Sequence, residues 1–282
     1  MSAATTARSL PKPAGGLRQG LGDSLVVGWR NLKRIPRIPE LAIFAILQSI
    51  MFVLLFAFVF GGAIPLPGYP PDPVYYREYL MPGIFAQTIV FAAATTAIGM
   101  TDDVNKGIID RFRSLPMARP AVLVGRSFAD VIYNGGILIV LMLSGLVVGW
   151  TVRTGIPELF AGIGLLLLFA FAMSWLGIWL GLSVPTVEVA NQVVFLVLFP
   201  LTFISNVFVP TESLPTWLQP IAEWNPTSTL TGALRALWGN PNPYVTDSFP
   251  GQNPIIVTLG WVVVIIAIFG PLGVRRYRNM SR

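Results

Sequence analysis

Six apolar runs of about twenty residues decide what this chain can become. They lie at about 41–61, 80–100, 131–150, 159–182, 189–209 and 254–274, and none carries Asp, Glu, Lys or Arg. At a rise of roughly 1.5 Å per residue, about twenty residues cross a hydrocarbon layer roughly 30 Å thick. In lipid each backbone N–H and C=O must find its partner within its own segment, which favours helices. The runs therefore predict an all-α integral membrane protein with six transmembrane helices spanning residues 41–274. Only 11% of the 282 residues are charged, against roughly 25% in a soluble domain.

Charge placement predicts orientation. Sixteen of the nineteen Lys and Arg fall in the N-terminal 40 residues, the 101–130 stretch and the tail at 275–282. Three, Arg77, Arg153 and Arg235, fall in the alternate loops. Cytoplasmic loops collect Lys and Arg, so both termini and the 101–130 loop are expected in the cytoplasm, with the protein multi-pass in the plasma membrane. The net charge of +6 thus marks topology, and no nucleic-acid partner is expected. Residues 1–16 read as a polar tail, and no apolar run in the first forty residues suggests a cleavable signal. In residues 17–40, Leu21, Leu25, Trp29 and Leu32 form an apolar stripe among five basic residues. That pattern predicts a helix lying in the membrane interface. The chain has no Cys and no His, which removes thiolate chemistry and the commonest metal ligand and general base.

The charged stretch at 101–130 stands between the second and third runs. Residues 106–115, KGIIDRFRSL, predict a short amphipathic helix with Ile108, Ile109, Phe112 and Leu115 on one side. Asn105 can help cap its start, and Pro116 ends it, because the residue before proline disfavours helix. A second helix begins near Pro120. Periodicity alone leaves two readings open: an interfacial connector, or a docking helix for a cytoplasmic partner.

The run GIIDRFRSLPMARPAVLVGRSFAD resembles the cytoplasmic segment of ABC type-2 transporter permeases, most of all the daunorubicin/doxorubicin-resistance subgroup. The matching residues include Gly107, Asp110, Arg111, Arg113, Pro116, Arg119, Arg126 and Asp130. A second resemblance lies in the loop at 210–253, at Pro210, Leu214, Pro215, Trp217, Asn225, Pro226 and Arg235. The resemblance implies that about 102–120 is a coupling helix seated on a separate ATP-binding subunit. Its contacts would come from Asp102, Asp103, Lys106, Gly107, Asp110, Arg111, Arg113, Leu115, Pro116 and Arg119. Lys106 departs from the acid that many relatives carry before the glycine. The sequence has no G-x-x-x-x-G-K-[ST] phosphate loop, so this chain is not expected to be the enzyme. ATP and Mg²⁺ are expected on a partner ATPase, and no cofactor on this chain. The implied assembly is two permeases, identical or sister chains, with two ATPase subunits.

Polar side chains inside spans are costly in lipid and face protein or a watery path. Gln48, Gln87, Asn191, Gln192, Ser205 and Asn206 are candidates for lining a substrate pathway, with helix–helix bonding as the competing role. No charged relay crosses the spans, so an amphipathic drug- or lipid-like cargo fits better than proton exchange. Gly145/Gly149 and Gly177/Gly181 have the spacing of close helix contacts. In the 210–253 loop, residues 213–224 and 227–237 predict short re-entrant or interfacial helices at the outer surface. Three alternatives compete: a permease for a lipid-linked or polysaccharide precursor, a membrane anchor for a cytoplasmic partner, and a transferase using Asp102-Asp103. The last lacks a second acidic cluster.

Overall fold

The computed structural model describes residues 28, 39–60, 66, 68–70, 72–109, 111, 119–208, 211, 214–243 and 245–280. Among these residues there are helices and no strand. Helix α1, Pro39–Leu54, continues through a wider π-helical stretch, Leu55–Phe60. Three long helices follow: α2 (Pro73–Asn105), α3 (Arg119–Val148) and α4 (Ile156–Ser183). The shorter apolar α5 (Val187–Phe203) leads to α6 (Gln219–Trp224), α7 (Pro226–Trp238) and α8 (Phe249–Gln252). Helix α9, Pro254–Asn279, is the last. Among the described residues four helices, α2, α3, α4 and α9, are long and apolar enough to cross a membrane. The chain is a multi-pass membrane protein. The interfacial helix expected at 17–40 lies outside the described residues, apart from residues 28, 39 and 40.

The helices outrun the apolar runs that predict them. Asp72 accepts a hydrogen bond from the Val74 N–H at 2.9 Å and Pro73 opens α2, a start suited to proline's fixed φ. The helix stops beyond Asn105, where Gly107 takes the left-handed φ of +64° that glycine adopts without cost. Arg77, Glu78, Asp102 and Asp103 therefore belong to the helix. Asn105 is its last residue.

Helix α2 is the centre of the bundle. It packs most extensively on α4, which also carries α9, while α5, α7 and α3 close around it. Gly177 and Gly181 permit the α2–α4 contact, since a Cβ on either would run into the carbonyls of Ala93 and Ala97. Their spacing thus serves packing within the chain. Gly149 serves a turn instead, and its φ of +102° leads the chain out of α3.

The end of the bundle away from Lys106 is sealed by α7. Its start is fixed by Asn225, which accepts from the Thr227 N–H at 2.8 Å and donates to the carbonyls of Leu201 and Ile204 at 2.8 and 2.6 Å. The α5 helix ends at Phe203, short of the expected 209, and the Leu201 carbonyl is one that its last turn leaves open, with Ile204 as the residue that caps it. Trp238, Trp150 and Phe85 meet edge to face, with centroids 5.1–5.8 Å apart. Trp150 donates to Asn240 Oδ1 at 3.0 Å. Arg235 is 1% exposed and donates to the carbonyls of Tyr79 and Asn206 at 3.0 Å, its guanidinium 3.6 Å from the Tyr79 ring centre. The sequence placed this arginine in an outer loop, and the structure buries it. Beside it Glu78, 2% exposed, pairs with Arg153 at 2.8 Å, and this contact raises the Arg153 guanidinium above its ordinary pKa.

Candidate functional site

The basic end of the bundle holds the stretch that the sequence marks for docking. Lys106 pairs with Asp102 at 2.8 Å on the surface, an i,i+4 contact of small value in water. Gly107 breaks the α2 helix, and Ile108, Ile109 and Arg111 start a new helical turn, with Arg111 exposed and Ile109 buried. Asp110 and residues 112–118, which include Arg113, Leu115 and Pro116, lie outside the described residues. Arg119 opens α3.

Behind this surface stands a buried ionic cluster. Asp103, next to the half-buried Asp102, turns inward and meets Arg126 of α3 at 2.7 Å. Both side chains are close to a tenth exposed. Arg126 also reaches Asp130 at 3.4 Å, and Thr96 of α2 donates to that carboxylate at 2.8 Å. The guanidinium lies over Gly99, where any Cβ would collide with it. One cation and two carboxylates thus tie the end of α2 to the start of α3, the two helices on either side of residues 106–118. Asn134, one turn further along α3, donates to the Asp130 carbonyl at 2.8 Å.

Asn134 also lines a cavity of about 330 Å³ between α1, α2, α3 and α5. Its walls include Gln48 of α1, Gln87, Thr88 and Thr95 of α2, and Tyr133 of α3. The remainder is largely aromatic: Phe52, Phe91, Phe195, Phe199 and Phe203. Phe195, Phe199 and Phe203 stack down α5 with centroids 5.3 and 4.1 Å apart. Among the described residues no Asp, Glu, Lys or Arg lines this space. Such a lining, mostly apolar with a few polar groups, is that of a small-molecule site.

Of the six expected pathway residues, the structure brings Gln48 and Gln87 together at this cavity. Asn191 and Gln192 are exposed on the first turns of α5, away from its walls. Ser205 and Asn206 follow α5 at the sealed end. Ser205 donates to the Thr202 carbonyl, and Asn206 engages Ser228, Tyr79 and Arg235 through its backbone. Sequence reasoning missed Gly99 and Tyr133, and had Thr96 and Asn134 only as polar residues within the spans. It had Arg126 and Asp130 only as parts of a resemblance. Their i,i+4 spacing was a readable sign of a pair, but Asp103 is 23 residues from Arg126 and only the fold joins them. Among the described residues no group of His, Cys, Asp and Glu could hold a metal.

Comparison with known proteins identifies the family. Residues 24–238 match the family model described as ABC-2 type transporter. A daunorubicin resistance ABC transporter permease of Streptomyces coeruleorubidus is 31% identical over 254 residues, 90% of this chain and 85% of that protein. A protein of Mycobacterium tuberculosis named as a probable doxorubicin resistance ABC transporter permease is 24% identical, across 95% of this chain and 93% of its own length. An inner membrane transport permease of Escherichia coli is 24% identical over 59% of this chain and 44% of its own. With the family model covering most of the helical bundle and a relative above 30% identity along nearly its whole length, the chain belongs to the ABC-2 type transporter family.

Proposed function

We propose that this chain is the permease subunit of an ATP-driven exporter that moves an amphipathic drug- or lipid-like substrate out of the cytoplasm or the inner leaflet. ATP and Mg²⁺ act on a separate ATP-binding subunit, present twice beside two permeases in the plasma membrane. On this reading all six apolar runs span the membrane, both termini are cytoplasmic, and residues 102–120 are the surface the ATPase pushes.

One observation supports the mechanism most. A continuous series of contacts leads from the docking stretch to the cavity: Asp103 to Arg126, Arg126 to Asp130, and Asp130 to Thr96 and Asn134. Thr96 neighbours Thr95 in the wall, and Asn134 is itself part of the wall. A buried ion pair resists separation, because parting it strands a charge in a poorly solvating medium. Movement of the 106–118 segment therefore displaces the ends of α2 and α3 together, and the cavity walls with them. Hydrolysis outside the membrane thereby changes the shape of a site within it.

Arg111 and Pro116 are the residues to test. Arg111→Ala and Pro116→Ala should each lower co-purification of the ATPase subunit, by about tenfold for Arg111, the loss of one interface arginine anchor. Substrate efflux from cells should fall in parallel while the amount of chain in the membrane stays constant. Undiminished association and efflux in both variants would remove the coupling role.

A further inference from the structure

Gln87 lies near the middle of α2, with its side chain 7% exposed. Its amide makes no hydrogen bond with any described residue, yet it lines the cavity. The amide is not sealed off but opens onto the cavity, and a primary amide held there without partners costs free energy. The neighbouring polar groups are partly engaged. Thr88 donates to the Ile84 carbonyl and Asn134 Nδ2 to the Asp130 carbonyl. Gln48, a further amide in the wall, is exposed on the outside of the bundle, so Gln87 is the buried amide with both donors and an acceptor to offer, set among aromatic rings and with no formal charge in the lining.

We propose that the cavity binds an uncharged polar group carrying a donor and an acceptor together, such as a carboxamide or a hydroxyl beside a carbonyl, and that Gln87 is its specificity-determining contact. This deepens the transport reading and rests on it for the passage of the bound molecule, but not for the binding itself. A phosphate or diphosphate head would enter with no cation to meet it and bears a desolvation cost that nothing in the wall offsets, while an ammonium head would meet ring faces but no carboxylate, which offsets that cost only in part. A bare hydrocarbon tail fills the aromatic space but leaves the amide unpaired. A site built around a hydrogen-bonding group discriminates strongly against ligands that leave that group unpaired. The inference thus separates a neutral amphiphile from a lipid-linked sugar phosphate as cargo.

The chain has no cysteine, so one introduced thiol reports on the cavity alone. Thr95 lines it, is exposed and makes no hydrogen bond of its own with the described residues. In nanodiscs, alkylation of the Thr95→Cys variant by N-ethylmaleimide would be timed with dodecanamide, dodecyl phosphate or dodecylammonium present. Dodecanamide should slow the reaction about tenfold, the worth of one or two net hydrogen bonds. The two charged analogues should slow it less than about twofold. Adding Gln87→Leu should abolish protection by dodecanamide and leave the melting temperature equal or higher, since it removes an unpaired buried amide. Adding Gln87→Glu, of the same shape, should move protection from dodecanamide to dodecylammonium, a second readout if the leucine variant does not fold. Equal protection by all three compounds, no protection by dodecanamide, or protection unchanged by both Gln87 substitutions would each overturn the proposal. So would a thiol that is shielded without any compound and uncovered on dilution, the behaviour of a face closed by a second copy. ATPase co-purification separates the failures. Intact association without amide protection sinks this inference alone, whereas amide protection without association sinks the transport reading and leaves the site.

Discussion

Arg126 is a single side chain with an unusual share of the molecule's internal order. It holds one carboxylate of α2 and one of its own helix, and Gly99 leaves the space in which it lies. Arg126→Gln leaves Asp103 buried opposite a neutral group, and breaking a buried pair in this way costs about 3–5 kcal/mol. The expected result is a clear fall in the thermal unfolding midpoint of the purified protein. The double variant Asp103→Asn/Arg126→Gln should recover a substantial part of it, because a neutral pair strands no charge. If the double variant melts no higher than the single one, the two side chains are not energetically coupled. This residue also marks the limit of the sequence. Its spacing to Asp130 follows from helix periodicity and is legible in one dimension. Its partner Asp103 adjoins Asp102 in the sequence yet faces the opposite way, and which of two adjacent acids turns inward depends on how α2 meets α3. The same is true of Gln87 and Asn134, whose shared cavity arises from packing.

Among the elements, α7 differs most from its expected role. A short helix in a polar, proline-rich loop predicts a surface cap, yet α7 is buried almost throughout, and Trp238 lies against Phe85 and Trp150 with Gly162 beneath it. The helix itself was legible from Asn225-Pro226 at its start and Gly239 at its end, standard signals for the two termini. Its depth was not, since the four polar residues Thr227, Ser228, Thr229 and Thr231 argue for water. Three of them bond within the helix or to the chain that follows α5: Ser228 accepts from the Asn206 N–H, while Thr229 and Thr231 donate to backbone carbonyls of α7. Trp238→Ala should therefore cost about 3–5 kcal/mol, the usual loss for a buried large aromatic. The unfolding midpoint of the purified chain measures this. The exposed Trp217→Ala should leave it within the scatter of the wild-type protein.

For the whole molecule, orientation can be tested directly. Thiols introduced as Ser114→Cys and Thr216→Cys should react with a membrane-impermeant maleimide from opposite faces of sealed vesicles, Thr216→Cys from the outside of cells. Reaction of both from one face would break the six-span reading. The long apolar runs made the helical class and the membrane plain, because length and absence of charge leave few alternatives. They did not give the helix ends, since a helix does not stop where hydrocarbon stops. The cavity between α1, α2, α3 and α5 has one further consequence. Its rim includes Gln48, Phe195, Phe199 and Phe203, all exposed on the outside of the bundle, so on the binding proposed above a ligand would enter sideways from the bilayer. A compound arriving by that route is presented at its concentration in the membrane. Its apparent potency should then rise with its partition coefficient, and two compounds with the same fit to Gln87 would differ in the dose at which they are captured.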